Sequence, residues 1–328
     1  MQVENCQQTE DQCQYVSTIG IALVAQQKLN YVLIKQNWLS NYQRALQYQF
    51  NFDNEHGEIV YVKSSHLPEF FKSTLHRFKQ PIFIISNEDD NIFPLDFTTC
   101  DIENNPKLAG LFIQNNYDTD MKNKVYHIPI GIDYHTLNWN RGQHVWGTTQ
   151  SSALQQEQIL LQCRKQMLPI QDCRTDVVLT NFQLAMTTPP RRQAIREPLY
   201  DALKDQSWMI WLPEMSRQEF WMQCKDCAFV LCPPGNGPDT HRTWEVLMLG
   251  RIPIIEDLPI NEVYKELPVW VISDLKTLAN YKPEDFKRKF DEIVAQWSTY
   301  NWDKLTMTWW KNHINTIVLN YKLNIATK

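Results

Sequence analysis

Glycine is scarce in this chain, nine residues in 328. Two of the nine, Gly235 and Gly237, stand one residue apart, so that position has a use for them. No apolar run approaches the ~20 residues that cross a bilayer. The first, residues 19–25, is far too short, and residues 1–18 are polar, with no signal-peptide pattern. A cytoplasmic location follows as the expectation. There is no excess of basic charge: the formal net charge is -5, which argues against a general nucleic-acid binder. Neither G-x-x-x-x-G-K-[ST] nor G-x-G-x-x-G occurs, so kinase-type and dinucleotide phosphate loops are excluded. The eight cysteines are scattered and do not form a disulfide framework. Cys224 and Cys227 have C-x-x-C spacing, but no second pair sits at zinc-ribbon distance, and they read as buried thiols.

What is present is a globular composition: 43% apolar and 21% charged residues, over a length that suits about two domains. Twelve tryptophans and 12% aromatics serve core packing first, and they also suit stacking on sugar rings. Short apolar runs at residues 20–25, 31–34, 59–62, 82–85, 108–113 and 125–128 predict strands, with a helix over 67–78 behind Pro68. The Gln-rich stretch 149–167 predicts a helix without a sheet signal around it. A second series then begins, with strands at 176–179, 208–211, 228–231, 252–255 and 269–272. Helices are expected at 193–204, after Ser216, at 240–249, 283–297 and 303–321. Such alternation predicts α/β architecture with largely parallel sheets. The restart near residue 170 predicts an N-terminal domain over 1–150 and a second over 151–300. The final helix, 301–328, is expected to pack back on the first.

The segment LCPPGNGPDTHRTWEVLMLGRIPII, residues 231–255, reads strand, glycine loop, helix, strand. Ligands of open α/β sheets bind beyond the carboxyl ends of strands. Gly235 and Gly237, flanking Asn236, let backbone N–H groups approach a ligand closely. Asp239 or Thr240 can cap the helix. The helix N-terminus suits an anion such as a diphosphate, and Arg242 in the first turn can add a charge-assisted fork. Glu245 shares a face with Arg242 and is a bidentate acceptor for two ribose hydroxyls. His241 can donate to a phosphate or a leaving group. A nucleotide diphosphate fits the set.

This stretch, followed by LPINEVYKELPVWVISDL, resembles the donor-binding half of exostosin-like glycosyltransferases, in particular their xylosyltransferase branch. The resemblance is strong over residues 229–275 and weaker at IPIGID, residues 128–133. It implies a GT-B fold, two Rossmann-like domains facing a central cleft, with inverting chemistry and no bound metal or permanent cofactor. It also implies a nucleotide-sugar donor, a UDP-sugar with xylose as the sugar. In the resemblance Gly235, Asn236, Gly237, His241, Arg242 and Glu245 face that donor, and residues 258–264 line the sugar pocket.

Arg191 and Arg192, after the first strand of the second series, can neutralise the leaving diphosphate or can be surface arginines. Arg196, one turn on, is expected to face solvent. An inverting transferase needs a general base. Glu88, Asp89 and Asp90 follow a buried strand, with Asp89 and Asp90 favoured. They can also form a plain acidic turn or hold a divalent cation. Asp133 and His135 are the second candidate, with Gly131 making a tight turn. Asn115, Asn116 and Tyr117 can touch acceptor hydroxyls, and Trp139 and Trp146 can form a sugar platform. The expected partners are a glycan or glycoconjugate acceptor and the nucleotide-sugar. Rival readings are a nucleotide-sugar hydrolase or epimerase, and a non-catalytic carbohydrate-binding protein of the same fold.

Overall fold

Parallel strands buried on both faces read as continuous apolar runs, and the strands of this chain do so. In a computed structural model, residues 12–25, 50–87, 102–116, 123–134, 152–184 and 190–327 are described. The first series gives α1 (Thr18–Ala22), β1 (Glu58–Tyr61), α2 (Leu67–Ser73), β2 (Ile82–Ser86), β3 (Leu108–Ile113) and β4 (Val125–His127). The four strands form one parallel sheet in the order β1-β2-β3-β4. Every residue of β2 and β3 is buried.

The connecting helix α3 (Ala153–Lys165) begins at Ser152 with a capping box to Gln155. Then follow β5 (Arg174–Thr180), α4 (Pro190–Leu203), β6 (Met209–Trp211), α5 (Arg217–Gln223) and β7 (Cys227–Leu231). The chain continues through α6 (His241–Met248), β8 (Ile252–Glu256), β9 (Trp270–Ile272), α7 (Pro283–Val294) and α8 (Met307–Ala326). These five strands make a second parallel sheet, in the order β6-β5-β7-β8-β9. The order reverses between β5 and β7. That is the switch point at which two neighbouring loops leave a sheet in opposite directions and open a crevice.

Side chains alternate across each sheet. Phe83 and Ile85 of β2 join a cluster with Phe112, Val177, Val230 and Trp244, which runs from one sheet to the other. Ile82 and Ile84 face the opposite way, into a cluster with Phe70 and Phe78. The outer face of the second sheet carries its own cluster around Phe229, Trp270 and Phe286. Helix α8 returns to the first sheet, where Tyr321 lies edge-on to Phe83 with centroids 5.3 Å apart.

Two expectations need correction here. Residues 20–25 are not a strand: Ser17 accepts a hydrogen bond from the Gly20 N–H and caps the wholly buried helix α1. The cap outweighs the β-branched content, and Gly20 lets Met307 Sδ close in, 2.7 Å from where a Cβ would stand. The last helix starts at Met307 rather than 303, because Thr306 accepts from the Trp309 N–H and Asp303 lies in a preceding 3-10 turn. The strand expected at 31–34 lies outside the described residues. Among the described residues no helix is long and apolar enough to cross a membrane.

Candidate functional site

The loops after β5 and β7 leave the switch point side by side. Thr180 Oγ1 donates to the Leu231 carbonyl at 3.1 Å and ties the two strand ends together. The loop 232–240 then leads into α6. Arg196 of α4 does not face solvent as expected: its Nε donates to the Pro234 carbonyl at 3.0 Å, and its guanidinium also reaches Gln183 O at 3.4 Å. One arginine thus pins both switch-point loops.

Thr240 is the N-cap residue of α6, yet its side chain makes no cap hydrogen bond to the helix. It pairs with Thr243 Oγ1 at 3.1 Å instead. The starts of α3, α5 and α8, by contrast, are capped by Ser152, Ser216 and Thr306. First-turn N–H groups have no partner within a helix, and a side chain, water or an anion satisfies them. At α6 the first two residues are His241 and Arg242.

Asp239 is not a cap either. It is buried and accepts from the Ile130 N–H at 2.7 Å, from Trp244 Nε1 at 3.0 Å and from the Tyr264 hydroxyl. Burial pushes its carboxyl up to about 6, against the pull of these donors. Ile130 follows the end of β4, so Asp239 fastens the glycine loop to the C-terminal edge of the first sheet. Gly237 abuts that edge as well. A Cβ on it would stand 2.1 Å from Asn115 Oδ1. Asn115 itself follows β3 at φ 56°, in the left-handed region. Gly237 is therefore required by an approach of the first sheet. Gly131 has φ 66°, and a Cβ there would meet the Val16 carbonyl at 2.2 Å, so a tight turn is present where expected.

His241 bridges the same gap. Its Nδ1 lies 2.7 Å from the Gly131 carbonyl, which can only accept, so Nδ1 carries the proton. Nε2 points at Asp133, 4.0 Å from Oδ2. Arg242 donates to Asn181 Oδ1 at 2.6 Å, and its guanidinium lies over the Phe220 ring at 3.7 Å. Asn181 immediately follows β5, so this contact also spans the switch point.

Glu245 does not stand open for a ribose. Oε1 accepts from Arg217 Nε at 2.7 Å, with Nη2 at 2.6 Å, and Oε2 accepts from Trp221 Nε1 at 3.0 Å. Arg242 Nε is 3.9 Å away. The side chain is 5% exposed. Both carboxylate oxygens are engaged within the protein, which places Glu245 in a buried ion pair. Arg217, absent from the sequence-based candidates, also donates to the Asp133 carbonyl at 2.5 Å and reaches Gln156 Oε1 at 3.4 Å. It holds together β4's following turn, the connecting helix and α6. The one sequence cue was its place after Ser216, at the first position of a capped helix. A further buried carboxylate, Glu157, accepts from the Gln14 and Tyr15 N–H groups and from the Tyr134 hydroxyl.

The structure thus brings Gly237 against Asn115 and His241 against Asp133 at the junction where the two sheets meet, with Arg242 turned to Asn181 and Phe220, and Gly235 and Asn236 in the same loop. Asn116 is buried beside His127, with Nδ2 and Nε2 2.8 Å apart. Arg191 and Arg192 fall in the first turn of α4, which begins at Pro190 and so replaces the expected loop. Nothing is described of their side chains. Glu88, Asp89, Asp90, Tyr117, His135, Trp139 and Trp146 lie outside the described residues. Among the described residues, no group of His, Cys, Asp and Glu is arranged to hold a metal ion. A D-x-D spacing does occur at Asp118-Thr119-Asp120, also outside them.

No protein-family model matches the chain, and no curated protein does. Similar solved structures include the catalytic domain of starch synthase IV from Arabidopsis thaliana bound to ADP and acarbose. It is 10% identical, covering 94% of this chain and 78% of that one, with a TM-score of 0.39. HepE from Anabaena in complex with UDP-glucose is 10% identical over 82% of this chain and 79% of its own, with a TM-score of 0.33. TarM is 10% identical over 89% of this chain and 60% of its own, with a TM-score of 0.38. These neighbours are glycosyltransferases of the GT-B kind. Likeness at this distance carries no inference about activity.

Proposed function

We propose that the chain is a glycosyltransferase of GT-B type that moves a sugar from a nucleoside-diphosphate donor, a UDP-sugar, to a hydroxyl of a glycan or glycoconjugate. Each sheet with its helices forms one Rossmann-like domain, and the donor belongs to the second. The observation that carries this reading is the start of α6. It lacks a side-chain cap, sits at the strand-order switch point, and presents His241 to the turn after β4 and Arg242 to Asn181 at the end of β5.

In this reading the diphosphate lies on the first-turn N–H groups of α6, and Arg242 offsets its charge as it leaves. Arg191 and Arg192 at the start of α4 support the same anion. The role of Glu245 changes from ribose ligand to anchor of the pocket wall. Asp133 accepts the proton of the attacking hydroxyl, and His241 Nε2, which points at Asp133, helps to orient that carboxylate. Asp89 and Asp90 remain candidates for the same task. Inverting, metal-independent transfer belongs to the proposal, as does xylose as the sugar, which comes from the exostosin resemblance alone.

Incubation of the protein with UDP-sugars, with and without hydroxylated acceptors, tests the reading. Transfer products that form only with acceptor, and that Asp133→Asn reduces about 100-fold or more, support it. Release of free sugar at the same rate with and without acceptor would make the chain a hydrolase.

A further inference from the structure

A groove of about 750 Å³ opens beside the junction, between β4, the 3-10 turn after β8 (Pro259–Tyr264) and α8. That volume lies within the range of small-molecule sites, roughly 300–1,000 Å³. Its floor is apolar, with Val125, Val263 and Ile317. One wall is an aromatic ledge on α8, where the rings of Trp309 and His313 stack at 4.9 Å and 13°. The rim carries Glu262 and Glu266, facing Lys265 and Lys304.

The charges discriminate between ligands. Lys304 is buried, donates to the Lys265 carbonyl at 2.5 Å and lies 5.3 Å from the Trp309 ring, so the inner cation is already engaged. Lys265 pairs with Glu262 at 3.4 Å. Two carboxylates balance two ammonium groups, so an anion finds no net attraction. What remains is an apolar floor, a ring face and carboxylate acceptors. That set suits a neutral ligand with C–H faces and many hydroxyl donors.

Glu266 adds a second indication. It stands at φ 70°, in the left-handed region that glycine enters without penalty. A strained backbone bearing a functional side chain points to a use for that side chain. The contact with Asn301 Nδ2, at 3.5 Å, is at the limit of a hydrogen bond.

The groove also leads to the donor loop. At its inner end His127 bonds Asn116, whose neighbour Asn115 abuts Gly237. On the opposite wall the 3-10 turn ends at Tyr264, which bonds Asp239 at the base of the same loop. We propose that this groove binds a stretch of neutral oligosaccharide, the outer part of an acceptor chain whose end reaches the junction of Gly237, His241 and Asp133. The word acceptor rests on the transferase reading; the binding itself does not.

Calorimetric titration with malto-, cello- and xylo-oligosaccharides, from tetra- to hexasaccharides, tests the site. UDP and UDP-sugars are titrated in parallel. The wild-type protein is expected to bind at least one of the oligosaccharides. Glu266→Gly, which suits the left-handed backbone, and His313→Ala, at an exposed position, should each weaken that binding at least tenfold. Nucleotide binding should stay unchanged in both. Wild type binding none of the oligosaccharides, or both variants binding as well as wild type, overturns the proposal. Oligosaccharide binding lost in both variants, without any nucleotide binding, keeps the groove and overturns the transferase reading. Nucleotide binding without oligosaccharide binding does the reverse.

Discussion

Glu245 holds Arg217 in a buried ion pair, with Oε1 2.7 Å from Nε and 2.6 Å from Nη2. The pair joins the donor helix α6 to α5, and through the Asp133 carbonyl to the edge of the first sheet. Removing one partner leaves the other charge buried and uncompensated, at a cost of about 3–5 kcal/mol. Glu245→Ala is therefore expected to lower the unfolding free energy by that order. Arg217→Met with Glu245→Leu should cost clearly less than the sum of the single changes. Urea melts of wild type, Glu245→Ala, Arg217→Met, Glu245→Leu and the double variant measure this. A Glu245→Ala protein as stable as wild type, deficient only in nucleotide binding, would restore the ribose role.

The carboxyl of Asp239 gives a pH dependence with a definite sign. Burial raises it from 3.8 to about 6 in the folded chain. Between those values the folded state keeps a proton that the unfolded state has lost. Stability from this group is thus fully present below about pH 4 and falls as pH rises to about 6, by about 3 kcal/mol in all. Asp239→Asn should flatten that part of the curve. Thermal melts of wild type and variant from pH 4 to pH 7 decide the matter, and parallel curves would refute the assignment.

Gly237 and Asn115 make a reciprocal pair. Gly237→Ala places a methyl 2.1 Å from Asn115 Oδ1, and overpacking of that kind costs ~1–3 kcal/mol. Asn115→Gly removes the obstructing amide and also suits the φ of 56° at that position. The double variant is expected to recover most of the stability and nucleotide affinity that Gly237→Ala loses. Absence of recovery would mean that the glycine serves something other than this approach.

The C-x-x-C pair predicts inert chemistry. Burial pushes the Cys224 thiol up strongly and those of Cys227 and Cys232 up to about 12. The thiolate is the reactive form. Iodoacetamide at pH 8 should leave these three cysteines unmodified in the native protein and label them in urea. Rapid native labelling at Cys224 or Cys227 would argue for a redox or metal role.

Much of the framework was legible because parallel strands announce themselves as apolar runs. The sequences IFIIS and LAGLFI lie at or within one residue of their expected limits as β2 and β3. The loop-to-helix passage at Gly235–His241 was legible for the same local reason, glycine next to helix-start residues. Partners that packing brings together were not. Arg217 meets Glu245 from 28 residues away, and nothing in its own neighbourhood marks it as buried. Asp239 looks like a cap in sequence, but Ile130, Trp244 and Tyr264 converge on it only in the folded chain. Helix α1 was missed because one serine hydroxyl, at Ser17, decides its conformation against an apolar run that also fits a strand.

The central claim is that a nucleoside diphosphate sits on the start of α6 beside Arg242. Calorimetric titration of UDP and a panel of UDP-sugars into wild type and Arg242→Met tests it most directly, with circular dichroism melts to confirm folding. The account predicts micromolar binding of at least one ligand, weakened at least tenfold in the folded variant. That corresponds to the ~1.5–3 kcal/mol of a hydrogen bond to a charged group. Folded wild-type protein that binds no nucleotide, or a variant that binds as tightly as wild type, would contradict it.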